Sequence, residues 1–354
     1  MAPVNNTSAI FNEVPQGRLV VDRTIITLVD KIDLDAAHLN GGILVKMLYL
    51  SVEPYLRAMM RPLSTSSGIP AYKVGEPMNI RVFGFAIATV MRTERAGINV
   101  EDKLYVTNCP FQQYAVLGAD HLVRVIPSDP QVPLSAYIGF LGMPGMTAFY
   151  GLELVGHPKK GETLYVSSGA GPVGSLVIQL AKSKGLKVIA SAGSEDKVEF
   201  MKSIGADVAF NYKKENIREV LAKEGPIDVY WDNVGGSTLE AALEACNVHA
   251  RVVACGAISA IDSAGEPYGV KTTSNILFKR LRVQGYFVTE GEPEYEGQVD
   301  NPVKFLAALT PLIKSGALKW SEQVLEGVEH VSKAIVDVFD GNNTAKVVIK
   351  ANDF

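Results

Sequence analysis

The sequence predicts an α/β protein that combines a doubly wound parallel sheet with a second, β-rich and barrel-like domain. Three observations carry this prediction. Strand and helix patterns alternate between residues 131 and 316, which is typical of parallel strand pairing. Residues 1–130 and 317–354 consist mainly of strand patterns separated by glycine and proline turns. The chain of 354 residues is long enough for two separate cores.

The β-rich part is defined by runs of valine, isoleucine and leucine. Gly41 and Gly42 separate two of these runs as a turn. Strands are predicted at residues 20–29, 43–52, 80–90, 103–107, 112–116 and 122–125. After the α/β part, a helix at 328–339 and a strand at 345–349 indicate that the chain returns to this first domain.

The α/β part opens with a glycine turn between a predicted strand and a predicted helix. Gly169, Gly171 and Gly174 satisfy the pattern G-x-G-x-x-G, with Ala170 and Val173 inside it. The first glycine permits a sharp turn, the second allows close approach to a pyrophosphate, and the third lets the helix pack on the sheet. Free N–H groups and the positive end of the helix dipole then face the phosphates. Glycine turns are common, so the strand before it and the helix after it are what indicate a Rossmann dinucleotide site.

The helix after this turn is expected to bury one face. Val173, Leu176, Val177 and Leu180 recur at the spacing of an amphipathic helix. Ser194 is expected to cap the next helix. Further strands are predicted at 186–192, 208–210, 227–231, 251–255 and 281–284, and helices at 217–222, 237–246, 275–279 and 302–314. Ligands bind such sheets at the carboxyl ends of the strands.

The second strand of this part predicts which nucleotide is bound. NAD sites carry an acidic residue there, about 20 residues after the glycine turn. Here the strand ends with Ala192, Gly193 and Ser194, and Lys197 lies one helical turn further on. On its own, Lys197 reads equally well as a solvated surface lysine. The missing acid favours NADP(H), although Glu195 is an opposing feature unless it points away.

Composition excludes several classes of protein. The formal charge of −4 provides no basic surface for nucleic acid. No apolar run reaches the ~18 residues of a membrane span, and the N-terminus lacks the pattern of a signal peptide. Three scattered cysteines exclude a disulfide framework and are typical of the reducing cytoplasm. Neither the cysteines nor the five histidines have the spacing of zinc ligands, so no metal is expected.

Several segments then resemble a known superfamily. The order of domains, with residues 142–148 (GMPGMTA) at the junction, is similar to the medium-chain dehydrogenases/reductases, whose first domain is GroES-like. Within that superfamily the chain resembles the zinc-free branch of leukotriene B4 dehydrogenases, prostaglandin reductases and plant and fungal 2-alkenal double-bond reductases. The segments that carry this resemblance are residues 50–57 (LSVEPYLR), 191–194 (SAGS), 232–236 (DNVGG), 254–259 (ACGAIS) and 341–346 (GNNTAK).

The resemblance implies roles for individual residues. Met143 and Thr147 would touch the nicotinamide half of the cofactor, and Gly193 and Lys197 the 2′-phosphate. The other implied cofactor contacts are Tyr212 and Asn233 along the ribose–phosphate path, Cys255, Ile258 and Ser259 on the adenine-to-pyrophosphate side, and Phe287, Val288 and Asn343 over the nicotinamide. Tyr55 would face the substrate. The resemblance also implies a homodimer. It further implies that two ligand positions of the zinc-containing relatives are lost, a cysteine near Ser51 and a Gly-His-Glu near Gly84-Phe85-Ala86.

The implied activity is the NADPH-dependent reduction of a carbon–carbon double bond in an enal or enone. One departure concerns the proton donor, because the family usually places a tyrosine shortly after the Ala-Ile-Ser segment. Here the run continues Ala260-Ile261-Asp262, and the next tyrosine is Tyr268. Tyr55, an active-site water or the cofactor's ribose hydroxyl could supply the proton, and Tyr55 could equally be a packed structural tyrosine. Zinc-free quinone or carbonyl reduction, and nucleotide binding without catalysis, are the alternative functions.

Overall fold

The computed structural model describes residues 2–62, 71–75, 84–127, 129–262, 265–288 and 302–353. The chain divides into two compact units. The first contains the chain up to Ile138 and again from Glu322 onward, and the second spans Gly139–Ser321. Within the described residues no helix is long and apolar enough to cross a membrane.

The strands and helices are numbered along the chain. The strands are β1 (Val4–Phe11), β2 (Ile25–Ile32), β3 (Ile43–Ser51), β4 (Phe85–Thr93), β5 (Lys103–Thr107), β6 (Tyr114–Leu117), β7 (Val123–Val125), β8 (Thr163–Ser167), β9 (Lys187–Ala192), β10 (Val208–Asn211), β11 (Ile227–Asp232), β12 (Cys246–Ala254), β13 (Arg282–Gly285), β14 (Glu322–Glu326) and β15 (Lys346–Lys350). The α-helices are α1 (Tyr55–Ala58), α2 (Met143–Gly151), α3 (Pro172–Ser183), α4 (Glu195–Ser203), α5 (Ile217–Glu224), α6 (Gly236–Ala245), α7 (Ile258–Ile261), α8 (Ser274–Phe278), α9 (Pro302–Lys314) and α10 (Val331–Asp340).

The first unit is built around strand β3, which is buried along most of its length. Its main sheet has the order β14-β15-β3-β4-β5-β7, and β6 also pairs with β3. A separate two-stranded sheet joins β1 to β2. The core includes Phe11, Met47, Leu56, Phe111 and Ile335, so helix α10 closes it from the C-terminal part of the chain. This architecture is the predicted β-rich domain.

Two details of the first unit differ from the sequence prediction. Residues 20–24 were expected to begin a strand, but they form a turn in which Arg23 and Thr24 both donate backbone N–H groups to Val20, and β2 starts only at Ile25. Strand β1 was not predicted, because its polar residues have low strand propensity. Pairing with β2 along its whole length specifies this strand instead. Of the predicted strand at 80–90, residues 80–83 lie outside the described residues.

The second unit contains the predicted doubly wound sheet. Its six strands have the order β10-β9-β8-β11-β12-β13, and every pair is parallel. The chain therefore moves outward in one direction from β8 and in the other from β11. Strand β9 is buried at five of its six residues, as expected for a parallel strand covered on both faces. The neighbouring carboxyl ends of β8 and β11 mark the point where a ligand is expected.

Helix α3 buries a different arc from the predicted one. Val173 and Leu180 are only half-buried, whereas Gly174, Ile178 and Ala181 are fully buried along with Leu176 and Val177. The reason is the close packing of the helix start on the turn that precedes it, which rotates the buried face toward Gly174. The tight turn and the helix are consequently one rigid piece.

Candidate functional site

The turn between β8 and α3 has the geometry of a phosphate cradle. Gly169 donates its N–H to Ser191 O at 2.9 Å, which ties the turn to the adjacent strand β9. Ser168 adopts a left-handed conformation with φ of 53°, so the chain reverses sharply before the first glycine. Gly171 is the N-cap of α3, with no side-chain cap hydrogen bond, and Pro172 is the first helical residue. By helix geometry the N–H groups of Val173 and Gly174 lack an intrahelical acceptor and are left for a ligand.

The three glycines of the motif have different surroundings. A Cβ on Gly174 would lie 2.5 Å from Ser168 O, and one on Gly169 would lie 2.7 Å from Met201 Sδ. Backbone packing therefore requires glycine at the third position, and a side chain at the first would have to displace Met201. A Cβ on Gly171 would make only ordinary contacts of 3.5 Å and more, so the space beside this residue is open. A pyrophosphate can approach the backbone there, and the cradle fits a dinucleotide.

Asp232, at the carboxyl end of β11, fixes the loop that follows this strand. Its Oδ1 accepts hydrogen bonds from the Tyr230 hydroxyl at 2.7 Å, from Val234 N–H at 2.9 Å and from Gly235 N–H at 2.8 Å. Burial raises the pKa of this carboxyl, while the Gly235 and Tyr230 hydrogen bonds oppose that shift. Asp232 is 2% exposed and holds the loop in place from beneath. The sequence reading did not select it as a site residue.

Asn233 lies at the same strand end and uses its side-chain amide within the protein. Its Nδ2 donates to Ser167 O at 2.7 Å, and its Oδ1 accepts from Trp231 Nε1 at 3.1 Å. Its backbone N–H also donates to Ser167 Oγ at 3.0 Å. Asn233 thus joins the end of β11 to the end of β8, directly before the glycine turn.

At the end of β9, Tyr212 and Lys213 lie beside Gly193. A Cβ on this glycine would lie 3.0 Å from Tyr212 Oη and 3.2 Å from Lys213 Cε. Lys197 is half-buried on helix α4, and its pKa is lowered by burial and, secondarily, by the charge of Lys213. The small residue at 193 therefore leaves room beside the Tyr212 phenol and the Lys213 side chain. Lys197 is close enough to Lys213 for their charges to interact. A dianionic 2′-phosphate is the ligand that this arrangement suits.

Lys213 is the residue at this strand end that the sequence reading missed. It follows Tyr212 immediately after β10, and the next residue is also a lysine. Lys214 instead pairs with Glu195 at 2.9 Å, and Asn211 donates to the same carboxylate oxygen at 2.8 Å. Glu195, the residue in the sequence that opposed NADP(H), is therefore engaged by Lys214 and Asn211. Ser194 is the N-cap of α4, but its side chain makes no cap hydrogen bond.

The loop after β12 packs against the loop after β11. Ser259 Oγ donates to Val234 O at 2.6 Å, and Cys255 N–H donates to Asp232 O at 3.0 Å. Burial raises the pKa of Cys255 to about 12, so its thiol is protonated at neutral pH. Ile258 opens the short helix α7 next to Ser259. The predicted residues Cys255, Ile258 and Ser259 thus lie together on the carboxyl side of the sheet.

The predicted nicotinamide contacts of the second unit come from two further segments. Met143 and Thr147 share one face of α2, where Thr147 Oγ1 donates to Met143 O at 2.8 Å. Phe287 and Val288 follow β13; Phe287 is 42% exposed and Val288 is buried. The two segments are linked through Gly151 of α2, where a Cβ would lie 2.6 Å from the Tyr286 ring.

The remaining predicted residues, Tyr55 and Asn343, belong to the first unit. Tyr55 opens α1, and its ring meets Phe85 edge to face with centroids 6.4 Å apart. Burial is the main cause that holds the pKa of Tyr55 well above its usual range. The Asn343 amide donates to Ala345 O at 2.9 Å, within the turn that leads into β15.

Tyr268 is the first tyrosine after residues 260–262, the run that departs from the family pattern, and its hydroxyl is already hydrogen-bonded. Its hydroxyl donates to Glu240 Oε1 at 2.8 Å, and Arg218 binds the same carboxylate at 2.6 Å. Ile261 ends the short helix α7. Residues 263–264 lie outside the described residues.

No cluster of three or more His, Cys, Asp or Glu side chains that could hold a metal occurs among the residues the structure describes. Ser51, near which the resemblance implied a lost cysteine ligand, donates its hydroxyl to Glu53 Oε1 at 2.8 Å. Phe85 and Ala86 are buried apolar residues on β4. Neither position supplies a zinc ligand.

Comparison with known proteins extends this picture. The family described as zinc-binding dehydrogenase matches residues 172–302, and the N-terminal domain of oxidoreductases matches residues 12–125. The NADP-dependent oxidoreductase RED1 of Cochliobolus heterostrophus is 37% identical over 358 residues, covering 98% of each chain. The NADP(+)-dependent 2-alkenal reductase of Nicotiana tabacum is 36% identical over 314 residues, covering 88% of this chain and 87% of its own.

A solved structure agrees with the fold. CurA from Vibrio vulnificus in complex with NADPH has a TM-score of 0.86 and 29% identity, and the match covers 98% of this chain and all of the other. The fold and the phosphate cradle define a Rossmann-type oxidoreductase with a GroES-like domain. More specifically, the chain belongs to the medium-chain dehydrogenase/reductase superfamily, in its zinc-independent branch of double-bond reductases.

Proposed function

We propose that this protein reduces the carbon–carbon double bond of α,β-unsaturated aldehydes and ketones with NADPH. The chain is an NADP-dependent oxidoreductase of the alkenal reductase type. The observation that carries the cofactor choice is the position of Tyr212 and Lys213 beside Gly193. Lys197 is close enough to Lys213 for their charges to interact, and the Glu195 carboxylate is engaged by Lys214. The substrate class is supported by the 2-alkenal reductase relative.

The residues of the second unit are proposed to bind and orient the cofactor. The N–H groups of Val173 and Gly174 would hold the pyrophosphate, since a helix N-terminus favours anions. Lys197 and Lys213 would hold the 2′-phosphate. When bound, NADPH supplies a hydride from the nicotinamide C4 to the substrate β-carbon. Met143, Thr147, Phe287 and Val288 would fix the nicotinamide face.

Tyr55 is proposed to complete the reduction. Hydride addition at the β-carbon places negative charge on the carbonyl oxygen, and a hydrogen-bond donor stabilises that charge. The α-carbon then needs a proton. The phenol of Tyr55 is neutral at physiological pH because burial keeps its pKa high. It can therefore donate a hydrogen bond to the carbonyl oxygen and a proton to the α-carbon, after which water reprotonates the phenolate. Asn343 is proposed to close over the nicotinamide.

The test is an NADPH-oxidation screen with an enone, a quinone and a saturated ketone. We expect the enone to be consumed fastest, and the product to be the saturated carbonyl compound rather than the allylic alcohol. Faster turnover of the quinone would support quinone reduction at a zinc-free site instead. NADPH binding with no oxidation by any acceptor would support a nucleotide-binding protein without catalysis.

Activity is expected to survive exhaustive chelation. The hydroxyl of Ser51 is engaged with Glu53, and the neighbouring strand carries Phe85 and Ala86 instead of ligands. We expect unchanged kcat after dialysis against a chelator, and no stoichiometric zinc by elemental analysis. One tightly bound zinc per chain would contradict the proposed metal-free mechanism.

The protein is also proposed to be a homodimer. Strand β13 ends the described six-stranded sheet, and Leu277 and Phe278 beside it on α8 are 73% and 71% exposed. A strand edge flanked by exposed apolar side chains is a surface that a second copy can cover. We expect a dimer in sedimentation, and a shift to monomer on Leu277→Asp together with Phe278→Asp. A wild-type monomer at micromolar concentration would contradict this assembly without affecting the catalytic proposal.

A further inference from the structure

The first unit contains a buried ion pair between two segments that are distant in sequence. Lys346 Nζ lies 2.8 Å from Glu53 Oε1, and the two side chains are 3% and 5% exposed. The same ammonium donates to Val52 O at 2.8 Å, and Ser51 Oγ donates to the same Glu53 oxygen at 2.8 Å. One ammonium group thus binds two consecutive residues, Val52 and Glu53, just beyond the end of strand β3, and the Glu53 carboxylate in turn binds Ser51.

A gain in folding stability does not explain why this buried ion pair is present. Replacing a buried ion pair by apolar residues of similar volume is often neutral or stabilising, because the charges lose their hydration. Strand pairing does not require it either, since Val348 already lies opposite Ser51 in the ladder and Val52 N–H donates to Val347 O. The pair instead adds a constraint just beyond the point where the ladder ends.

Both candidate site residues of the first unit lie next to this pair. Tyr55 follows Glu53 by two residues, and the start of α1 is tied to Glu53 because Leu56 N–H donates to its carbonyl oxygen at 3.2 Å. Asn343 precedes Lys346 by three residues. The Glu53 carboxylate is also close enough to contribute to the raised pKa of Tyr55.

We propose that the Glu53–Lys346 pair positions Tyr55 for reduction of the substrate. The inference rests on the proposed role of Tyr55. Neither member of the pair is assigned contact with substrate or cofactor, so both are positioning residues. A displacement of about 1 Å at a reacting group can cost ~10²-fold in rate, so a pair that fixes the start of α1 has a measurable effect on kcat.

The experiment combines an apolar replacement of the pair with removal of the Tyr55 hydroxyl. The variant Glu53→Leu/Lys346→Met is expected to retain its melting temperature and its NADPH affinity, while kcat falls ~10- to 100-fold. In a Tyr55→Phe background the same pair of substitutions is expected to change kcat by less than about threefold, because coupled residues act non-additively. The single variant Lys346→Arg, which keeps the charge pair with Glu53, is expected to retain most of the wild-type kcat.

The matched control is Lys350→Met, at the other end of the same strand. Lys350 pairs with Glu326 and Asp353 near the surface, and its replacement is expected to leave kcat unchanged. If the apolar variant does not fold, Glu53→Gln serves in the same cycle, because it keeps an acceptor for Ser51 but removes the charge that binds Lys346, so kcat is expected to fall in the same direction. A wild-type kcat, or an equal loss with and without the Tyr55 hydroxyl, would overturn the inference. A wild-type enzyme that does not reduce enones would instead overturn the proposed function.

Discussion

Replacing Tyr55 with phenylalanine is expected to lower kcat for enone reduction by ~10²–10⁴-fold, the scale of a positioned general acid. NADPH affinity should stay nearly unchanged, because the proposed phosphate contacts all belong to the second unit. The substitution removes only the hydroxyl and preserves the ring that packs edge to face against Phe85. Steady-state kinetics with an enone, and fluorescence titration with NADPH, measure the two effects.

The pH dependence of the wild-type enzyme gives an independent check on Tyr55. A phenol that donates a proton loses this ability only as pH rises through its pKa. Burial raises the pKa of Tyr55 well above its usual range, so kcat should show no basic limb from Tyr55 below pH ~10. A basic limb near neutral pH that disappears in Tyr55→Phe would contradict the neutral-donor role.

The control for this prediction is Tyr72→Phe. Tyr72 is also buried in the first unit, its ring lies 5.7 Å from that of Phe11, and burial raises its pKa as well. The Tyr72→Phe variant is expected to keep kcat within about twofold of the wild-type value, because no catalytic role is proposed for its hydroxyl and the loss expected for a general acid is much larger.

A loss of kcat below about tenfold in Tyr55→Phe would point to water or the ribose hydroxyl as the proton donor. Ile261→Tyr would then test whether the family tyrosine can be restored.

Removing both Lys197 and Lys213 is expected to narrow the preference for NADPH over NADH by ~10²–10⁴-fold. Each charge-assisted contact to phosphate contributes about 1.5–3 kcal/mol, and about 1.4 kcal/mol corresponds to a factor of ten. Lys197→Ala alone should account for about tenfold or more of this change. Dissociation constants for both cofactors, measured by fluorescence, give the preference directly.

Lys214→Ala is the matched control, because this lysine is adjacent in sequence but pairs with Glu195. Its replacement is expected to leave the preference for NADPH unchanged. Equal losses of NADPH and NADH affinity in the double variant would show that Lys197 and Lys213 act on the fold rather than on the 2′-phosphate.

The sequence predicted those parts of the fold that depend on local pattern. Strand periodicity and the spacing of Gly169, Gly171 and Gly174 are local, and both the parallel sheet and the turn agree with them. Strand β1 could not be predicted in this way, because its polar residues are held by pairing with β2 rather than by propensity. Helix α3 buries a different face from the predicted one because its start packs closely on Ser168, and helical periodicity does not encode that packing.

The same limit applies to the candidate site, whose binding roles stay predictions. Gly193 and Lys197 followed from the missing acid and the helix that begins nearby. Lys213 and Lys214 are identical neighbours in sequence, and only the strand ends determine that one lies beside Gly193 while the other binds Glu195. Asp232 was missed for the same reason. Its role depends on Tyr230 and on the backbone of Val234 and Gly235, which the fold alone brings to one oxygen.

The proximity of Lys197 and Lys213 also affects how the protein responds to dissolved salt. The charge of Lys213 lowers the pKa of Lys197, so the two cations repel one another before any nucleotide is bound. Mobile ions relieve this repulsion in the free protein, whereas in the complex they weaken the attraction to the bound phosphate. Rising ionic strength should therefore weaken the binding of NADPH much more than that of NADH. Small multivalent anions should compete selectively with NADPH. The preference for NADPH over NADH then depends on the ionic strength of the solution as well as on the protein.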